Sequence, residues 1–503
     1  MRLRWVAAHA LFFLGLIGAE ETKPDLDVPS NSELNPAIRR VETRSGRVSL
    51  HGISARESQA GAWLATESSK YDRELLFYTL NSLRHETVAW NGLDRGHSFY
   101  LSPVLEGAVR GREGDSSENA ALAGLGMKMY GKLFPRLAYY TRGMVYTEFT
   151  DRPQFTHQFD PDFGETYSVE KGPGDSLLSD RTYNRFEHYL LLDLPWMTIK
   201  AGRDRIHTGP GYFSSLLASR DTPPYYLVEA RIDFAPWLQM NSQLIRMTDT
   251  DPEIQKYATL HRFDFKPHHS LTLGFQDIVI YQDRDPDPRY LLPLTPLAFS
   301  EDNAGGGDND AMGFDFLWAS PWKVSLWSEL FIDDLLGPTS FFDNFWENRW
   351  SALAGLQAVS PWKSIDMDLV VEWSHVEPWT YLGRSPQTSF KHFNVPSASK
   401  LGPDSRSWDV QAGYRPWKWL ELKERLEWND KGVGRQATLG LVHDDSLDGT
   451  SKKFLGGIVE RKQFSPLSAS VLWGQFLRGE VYWRQEFDGG DERTIGTGLS
   501  IIR

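Results

Sequence analysis

The sequence predicts an all-β transmembrane protein, an antiparallel outer-membrane β-barrel of about 18 strands that follows a small N-terminal helical segment. Three observations favour this fold class. The chain begins with an export signal, its later segments alternate between apolar and charged residues, and short proline turns alternate with long polar loops. An outer-membrane barrel needs all three features, because it is exported, faces both lipid and a wet lumen, and has short turns at only one end.

The N-terminus has the organisation of a secretory signal peptide. Two arginines within residues 1–4 precede an apolar run over residues 5–17, and Gly18 and Ala19 follow. This pattern predicts a signal peptide over residues 1–19. A membrane anchor is the alternative, but the run is short of the roughly 20 apolar residues that a spanning helix needs. Export without a helical anchor leaves the periplasm, the extracellular space or the outer membrane, and the strand pattern favours the outer membrane of a Gram-negative-type bacterium.

The composition excludes several classes of function. A net charge of −13 argues against a nucleic-acid partner, because phosphate binding needs a basic surface. The absence of cysteine excludes a disulfide framework and a cysteine-based metal site. The 19 Trp and 19 Tyr residues carry the amphipathic rings that collect at membrane interfaces.

Residues 20–95 are predicted to form a periplasmic linker and helical segment ahead of the barrel, which occupies residues 96–503. The part up to about residue 44 is polar and contains three prolines, as a linker does. Between residues 57 and 91 the spacing of apolar residues becomes helical, with one stripe on one face. We interpret this helix as a packing element without chemistry of its own. The stripe consists of Leu76, Leu80, Leu83 and Thr87.

Residues 194–237 show the strand pattern that the rest of the chain repeats. Two segments with period-two alternation flank a loop rich in glycine and proline. In the second segment, Tyr226 and Val228 lie on one face of the strand. Glu229 and Arg231 lie on the other face. A soluble β-sandwich or propeller is the alternative, but strands of about 10–12 residues match the length that crosses a bilayer with tilt.

Eight short turns that contain proline set the predicted strand count. Each is flanked by alternating segments, and a longer polar loop separates consecutive turns. Eight inner turns require nine outer loops and about 18 strands, an even number as in single-chain bacterial barrels. Tryptophans beside the turns predict an inner aromatic girdle. Residues 417–442 must form one long or bulged strand, and a hairpin there instead would change the count. The turns are Phe134-Pro135-Arg136, Leu194-Pro195-Trp196, Ala235-Pro236-Trp237, Lys266-Pro267-His268, Ser320-Pro321-Trp322-Lys323, Ser360-Pro361-Trp362-Lys363, Arg415-Pro416-Trp417-Lys418 and Ser465-Pro466-Leu467.

Five of the predicted outer loops are long enough to carry function. No catalytic constellation stands out in them, since Ser214-Ser215 lacks a nucleophile elbow and His207 is a single histidine. Asp308-Asn309-Asp310 offers oxygen atoms to Ca²⁺, but without the EF-hand spacing a turn into a strand is the preferred interpretation. We predict no enzyme activity, metal or cofactor. The loops span residues 151–181, 203–224, 282–310, 335–349 and 376–405.

Aromatic and basic residues in these loops predict a carbohydrate site. Aromatic rings stack on sugars, and arginine binds acidic sugars through paired hydrogen bonds. The alternative is that the rings pack the loops together or belong to the outer girdle. The glycan-binding candidates are Arg203, Asp204, Arg205, Trp346, Trp350, Trp379, Tyr381 and Arg384. The residues predicted to structure the loops are Gly209, Pro210, Gly211, Asp308, Asn309 and Asp310.

Several of these residues also carry a family resemblance. The motifs are, in order, Gly202-Arg203-Asp204-Arg205, Gly209-Pro210-Gly211, Leu216-Leu217-Ala218-Ser219, Pro223, Gly274-Phe275-Gln276-Asp277, Tyr281, Pro293-Leu294 and Asp308-Asn309-Asp310. From about Tyr183 to Trp350, this order resembles the Wzi-type capsule assembly family of outer-membrane proteins. The resemblance implies a barrel of about 18 strands, a small periplasmic helical part, outer loops that close the lumen, and a lectin-like role in holding capsular polysaccharide.

The sequence therefore predicts a non-enzymatic outer-membrane barrel that binds or organises surface polysaccharide. Its predicted partners are that polysaccharide, the outer-membrane lipid and the barrel-assembly machinery, and we expect a monomer. A porin or polysaccharide export channel has the same fold and is the first alternative. A lipid or glycan hydrolase is the second. Conductance separates a channel from a closed lectin, and loss of activity on a single serine or carboxylate change identifies an enzyme.

Overall fold

A computed structural model describes the protein over most of its length. The predicted signal peptide and the helical stripe over residues 76–87 lie outside the described residues. The described residues are 34–48, 88–92, 97–113, 118–150, 166–167, 179–219, 222–248, 254–292, 297, 307–337, 340–360, 365–393, 395–417, 419–473, 477–486 and 492–501.

One antiparallel sheet of 20 strands makes up most of the structure. Two of these strands are short, Val88–Gly92 beside β1 and Thr166–Tyr167 beside β4, which leaves 18 long ones. The long strands are β1 (His97–Glu113), β2 (Glu118–Phe134), β3 (Leu137–Thr150), β4 (Ser179–Asp193), β5 (Met197–Asp204), β6 (Tyr225–Ala235), β7 (Leu238–Met247), β8 (Lys256–His268), β9 (Leu271–Gln282), β10 (Asn309–Ala319), β11 (Val324–Asp334), β12 (Arg349–Val359), β13 (Met367–Val376), β14 (Ser405–Trp417), β15 (Leu420–Val433), β16 (Ile458–Trp473), β17 (Leu477–Glu486) and β18 (Glu492–Ile501).

The sheet closes on itself. Each long strand pairs with the next one along the chain, and the second half of β1 pairs with β18. The contact runs from Leu105 opposite Ile501 to Glu113 opposite Arg493. Because every long strand has a neighbour on both sides, the sheet has no long exposed edge. The predicted barrel and its strand count are confirmed.

Three of the eight predicted turns lie elsewhere. Pro267 belongs to β8, and the turn follows it at residues 269–270. Pro416 belongs to the end of β14, which extends to Trp417, and β15 begins at Leu420. Pro466 lies inside β16, where the ladder to β15 is interrupted between Phe464 and Leu467. Its missing N–H therefore costs no hydrogen bond on that side.

Two errors of position near the C-terminus leave the strand count unchanged. No turn lies at Ser465-Pro466-Leu467, because β16 continues through these residues to Trp473 and pairs with β17 from Leu477 onward. The long strand predicted over residues 417–442 is wrong in its second half, since β15 ends at Val433 and residues 434–457 form a sixth long outer loop. This loop contains the short helix α2 (Asp445–Asp448).

The two faces of the strands differ as predicted. On β6, Tyr226 and Val228 are 55% and 49% exposed on the outward face. Glu229 and Arg231 are buried on the inward face. At the end with short turns, outward tryptophans form the predicted inner girdle; they are Trp196, Trp237, Trp322 and Trp417. Among the described residues, no helix is long and apolar enough to span a membrane.

A helix, α1 (Leu34–Ser45), stands where the sequence predicted a linker. The linker prediction was wrong for these residues. Helix α1 is polar, as a linker is, but it packs against β10, β11 and β12 near the short turns. Arg40 binds Asp366 and lies 3.5 Å from Asp368, both at the inner end of the barrel wall. Pro36 falls in the first turn of the helix, where proline is tolerated.

Candidate functional site

The loop between β5 and β6 folds into the barrel. We call it the lumen loop (residues 205–224). The N–H groups of Gly211 and Leu216 each donate to the carboxylate of Glu329 at 2.7 Å. Glu329 is buried on the inward face of β11, on another side of the ring from β5 and β6. A loop that starts at β5 and binds β11 must cross the lumen.

A second carboxylate, Glu372 on β13, holds the middle of the lumen loop. It accepts backbone hydrogen bonds from Tyr212 at 2.6 Å and from Phe213 and Ser214 at 2.9 Å. The indole of Trp327 donates to it at 2.9 Å. Buried carboxyl groups are stable when backbone N–H groups surround them, and each such hydrogen bond contributes about 1 kcal/mol. Glu329 and Glu372 together form what we call the carboxylate clamp.

The predicted loop-structuring residues Gly209, Pro210 and Gly211 lie at the tip of the lumen loop. Gly209 has a φ of +89°, and a Cβ atom there would stand 2.4 Å from a carboxylate oxygen of Glu329. At Gly211 a Cβ atom would stand 1.9 Å from the carbonyl oxygen of Ser214. Both positions therefore require glycine, since the chain approaches the clamp too closely for a side chain.

The lumen loop also contacts helix α1 from the other end of the barrel. Arg39 of α1 donates through Nη2 to the carbonyl of Pro210 at 2.7 Å. Its guanidinium lies 5.3 Å from the ring centre of Trp327, which also binds the clamp. The loop and the helix therefore meet inside the lumen and together obstruct it.

Arg203, Asp204 and Arg205, predicted to bind glycan, are engaged at the base of the lumen loop. Arg203 is buried and donates to the carbonyl of Phe186 at 2.8 Å. Arg205 is buried and donates to the carbonyl of Thr222 at 2.9 Å. Asp204 accepts a hydrogen bond from a lysine of the same strand at 3.2 Å. The contact between Arg205 and Thr222 joins the two ends of the loop, whereas those of Arg203 and Asp204 lie within β4 and β5.

Three other outer loops pack together above the rim. Trp346 donates through its backbone N–H to the carbonyl of Thr450 at 3.2 Å, which joins the first loop to the third. The N–H of Trp379 donates to the carbonyl of Gln436 at 3.0 Å, which joins the second loop to the third. We call these loops the crown; they span residues 335–348, 377–404 and 434–457.

The predicted candidates Trp346 and Trp379 meet in the crown through a histidine. The ring of His443 stacks on Trp346 with centroids 3.8 Å apart and planes inclined by 3°. Trp379 presents its edge to the same histidine at 4.9 Å. Trp346 is partly exposed, whereas Trp379 is buried. The structure thus leaves Trp346 as the accessible aromatic ring of this pair.

A buried lysine and a partly buried glutamate fasten the crown below these rings. Lys452 contacts Glu377 at 2.8 Å and donates to the carbonyl of Asn348. His375 lies 2.8 Å from the same carboxylate. Burial alone would raise the pKa of Glu377, but the hydrogen bond from His375 and the charge of Lys452 outweigh it and hold the pKa below its usual range.

His392 fastens the second crown loop to the base of the lumen loop. Its Nδ1 accepts from the N–H of Thr248 at 2.9 Å, so Nε2 carries the proton and donates to the carbonyl of Pro224 at 3.2 Å. Burial lowers the pKa of His392 to about 3, and the positive charges of Lys256 and Arg203 act in the same direction. The ring is therefore neutral at neutral pH.

The remaining crown candidates have three different surroundings. Trp350 faces outward on β12, and its indole donates to the carbonyl of Phe341 at 2.9 Å, as in an outer girdle. Tyr381 is buried, and its N–H donates to Asp333 at 2.8 Å. Arg384 is exposed on the second crown loop. The eight candidates therefore do not converge on one place, and Trp346 and Arg384 are those that the crown presents to solvent.

The loop between β9 and β10 packs against the outside of the wall. The N–H of Leu297 donates to Asp277 at 2.9 Å, and His261 hydrogen-bonds the carbonyl of Tyr290 at 2.9 Å. Both side chains lie on the outward face, opposite each other on β9 and β8. We call the described residues of this loop, 283–292, 297, 307 and 308, the wall loop.

The predicted triplet Asp308-Asn309-Asp310 joins the wall loop to β10. Asp308 is paired with Arg284 and accepts from the hydroxyl of Tyr290 at 2.5 Å. Asn309 donates to the carbonyl of Thr388 in the crown at 3.0 Å. Among the described residues, no group of three or more His, Asp or Glu side chains is arranged to hold a metal ion.

Sequence reasoning missed the carboxylate clamp and His443. The burial pattern places Glu372 on the inward face of β13, but nothing in the sequence of the strand indicates which loop it binds. One signal was present, since residues 208–219 contain no charged side chain and no period-two pattern. A long uncharged loop brings many backbone N–H groups that need acceptors, and inward carboxylates can supply them.

Comparison with known proteins identifies the family. Residues 97–417, well over half of the chain, match the family described as capsule assembly protein Wzi. None of the curated proteins matches the sequence. Among solved structures, Wzi from Escherichia coli is described as an outer membrane protein involved in group 1 capsule assembly and a carbohydrate-binding β-barrel. It is 13% identical with a TM-score of 0.60, and the match covers 95% of this chain and 100% of that one.

Other outer-membrane proteins are less similar in structure. The outer membrane protein OpdK from Pseudomonas aeruginosa is 11% identical with a TM-score of 0.45, over 80% of this chain and 97% of that one. OccAB4 from Acinetobacter baumannii is 12% identical with a TM-score of 0.43, over 82% of this chain and 99% of that one. The family match and the barrel together lead to one conclusion: this chain belongs to the capsule assembly protein Wzi family.

Proposed function

We propose that this protein is a closed outer-membrane barrel that holds capsular polysaccharide at the cell surface, through its outer loops and without a catalytic step. Membership of the capsule assembly family supports the role. The Escherichia coli relative is described as a carbohydrate-binding barrel, which supports the ligand class. We further propose that the protein acts as a monomer.

The observation that carries this proposal is the contrast between the obstructed lumen and the open crown. The lumen loop crosses the barrel, and five of its backbone N–H groups donate to the carboxylate clamp. The crown presents Trp346 and Arg384 at the surface. A polymer too long to enter the barrel is best held by such exposed rings and cations at the rim.

A porin or polysaccharide export channel is the alternative that shares this fold. It requires a continuous water-filled path, which the lumen loop and α1 obstruct where Arg39 meets Pro210. An export role would therefore need the loop to leave the clamp during transport. We favour the binding role because the backbone N–H groups of the lumen loop already have their acceptors in the carboxylate clamp.

Binding of the host's own capsule tests the proposal. Purified protein is mixed with immobilised capsular polysaccharide and, in parallel, with an unrelated neutral glucan. We expect retention on the capsular polymer and release by the same polymer in solution. Equal retention on both polymers, or none on either, contradicts the polysaccharide-holding role.

A further inference from the structure

The outward face of β13, β14 and β15 carries a row of tryptophans near its outer end. Trp373 pairs with Trp408, and Trp408 pairs with Trp428, so the three indoles lie side by side across adjacent strands. Trp408 and Trp428 are 47% and 38% exposed. Their strand neighbours Ser407 and Glu427 are buried on the inward face. The row therefore faces outward, where lipid surrounds a barrel.

A second row, made of charged residues, stands directly above the first. Arg406 pairs with Asp430, and Asp430 pairs with Arg461 on β16. Asp430 accepts from Arg406 at 2.5 Å and lies 3.5 Å from Arg461. These residues are two positions nearer the crown than Trp408 and Trp428, which corresponds to about 7 Å along a strand.

The two arginines have capacity for another anion. Their side chains are 42% exposed at Arg406 and 71% exposed at Arg461. A single carboxylate stands between two guanidinium groups, so this row keeps one net positive charge. Asp430 contacts one nitrogen of each guanidinium, which orients the two groups side by side. A guanidinium has five N–H donors, and its planar fork matches a phosphate.

We propose that these six residues, the tryptophan–arginine row, bind the phosphorylated headgroup of an acylated lipid in the outer leaflet. Indole rings prefer the boundary between hydrocarbon and headgroups, and basic side chains prefer the phosphate level above it. Acyl chains lie along the indoles while the phosphate meets Arg406 and Arg461. The members are Trp373, Trp408, Trp428, Arg406, Asp430 and Arg461.

The position of the row favours a lipid over a soluble polysaccharide. The row stands on the barrel wall, below the crown and beside apolar outward residues such as Leu369 and Leu467. On the wall of β8 and β9, by contrast, the wall loop covers the outward residues His261 and Asp277. Lipid access to the outer part of the barrel therefore differs around the ring, and β13–β16 is the side that offers aromatic rings with cations.

Lipid binding by the purified protein in detergent tests this proposal. The probe is diphosphorylated lipid A, and native mass spectrometry gives the bound fraction. We expect the double variant Arg406→Ala/Arg461→Ala to bind about 25-fold more weakly, roughly fivefold for each arginine. The variant Arg406→Lys/Arg461→Lys should bind more tightly than the alanine variant and more weakly than the wild type, because it keeps the charges but loses the planar fork. The matched control is Arg289→Ala, which removes an arginine that is 50% exposed and paired with Asp287 on the wall loop, and it should bind like the wild type.

Further probes separate the sources of the effect, with folding of each variant checked by its heat-dependent gel mobility. Dephosphorylated lipid A should bind equally to the wild type and the double variant, and inorganic phosphate should not displace the lipid. The proposal is overturned if the double variant binds diphosphorylated lipid A as tightly as the wild type. It is also overturned if inorganic phosphate competes fully, which indicates a simple anion site. Loss of capsular polysaccharide binding with unchanged lipid binding would assign the arginines to the glycan instead.

Discussion

The lumen and the crown contain the same types of charged and aromatic residues, but the lumen buries them and the crown exposes some of them to solvent. In the lumen, carboxylates and arginines are buried and matched to backbone groups or to each other, as Glu372 is with the lumen loop. In the crown, ion pairs such as that of Glu377 with Lys452 support a surface on which Trp346 and Arg384 reach solvent. The polar groups of the lumen are hydrogen-bonded within the protein, whereas the crown exposes side chains that a partner can contact.

This difference indicates where the protein acts. A buried clamp that already has its hydrogen bonds gains little from a ligand, because a new partner must replace bonds that exist. A partly exposed indole gains contact area when a ring stacks on it. We therefore place the binding function on the crown and the closure function in the lumen. The following changes test each side of that division.

The largest effect is expected from Glu372→Ala, which removes one of the two members of the carboxylate clamp. The substitution leaves four N–H donors in the barrel without their acceptor, which costs about 4 kcal/mol at roughly 1 kcal/mol each. We expect protease cleavage within residues 205–224 and a lower melting temperature. The control is Glu424→Ala, which removes an exposed carboxylate on the outward face of β15. Its lumen loop should resist the protease as the wild type does. An uncut lumen loop in Glu372→Ala would show that the clamp does not hold it.

A smaller loss is expected from Gly209→Ala. Alanine at a φ of +89° is strained, and its Cβ would stand 2.4 Å from Glu329, so we expect a cost of about 2–3 kcal/mol. The matched change in the crown is Gly402→Ala, where φ is +67° but the nearest atom is 3.7 Å away. At Gly402 only the cost of placing alanine in the left-handed backbone region applies, which is about 1–2 kcal/mol. Thermal unfolding compares the two, and equal losses would mean that the close approach to the clamp is unimportant.

Acid should loosen the contact between the crown and the lumen loop at His392. The pKa of this buried ring is about 3, whereas an unfolded histidine has a pKa of about 6.5. Between these values the unfolded chain binds the extra proton, so stability is full above pH 6.5 and falls as the pH decreases towards 3. From pH 7 to pH 5 the loss is about 2 kcal/mol. A protonated Nδ1 would also face the N–H of Thr248.

Hydrogen exchange over residues 388–398, corrected for the intrinsic rate, measures this opening. The wild type should exchange faster at pH 5 than at pH 7. His392→Gln keeps a donor and an acceptor but does not titrate, so its protection should be nearly independent of pH over this range. The same pH dependence in both proteins would assign the effect to other groups.

The smallest effect is expected from Trp346→Ala, which tests the crown alone. Loss of one stacking ring should weaken binding of capsular polysaccharide about fivefold, or roughly 1 kcal/mol. The control is Trp322→Ala, a tryptophan that is 76% exposed at the opposite end of the barrel. Titration of soluble polysaccharide against each protein gives the affinities. An unchanged affinity in Trp346→Ala would remove this ring from the binding surface.

The fold was predictable because its rules are local. Period-two alternation, as on β6, specifies which face meets lipid, and proline turns specify where strands reverse. The predictions were wrong where contacts with distant parts of the chain override the local rule. Pro466 lies inside a strand because the neighbouring ladder is interrupted there, and α1 is a helix because its arginines meet acidic residues of the wall such as Asp366.

The site was less predictable because it depends on contacts between distant parts of the chain. Trp346 and Trp379 were recognised by residue type, but the stacking of His443 on Trp346 joins loops that are about a hundred residues apart. Arg203 and Arg205 have the chemistry of glycan ligands, yet their burial fixes the lumen loop instead. Residue type indicates what a side chain can bind, and only the packing determines whether it is available.

Conductance in a planar lipid bilayer tests the division between a closed lumen and a binding crown most directly. We predict that the wild-type barrel is electrically silent and that the double variant Glu329→Ala/Glu372→Ala, which releases the lumen loop, opens a steady current. The variant should still bind capsular polysaccharide like the wild type. A large steady conductance in the wild type would contradict the account and favour a channel.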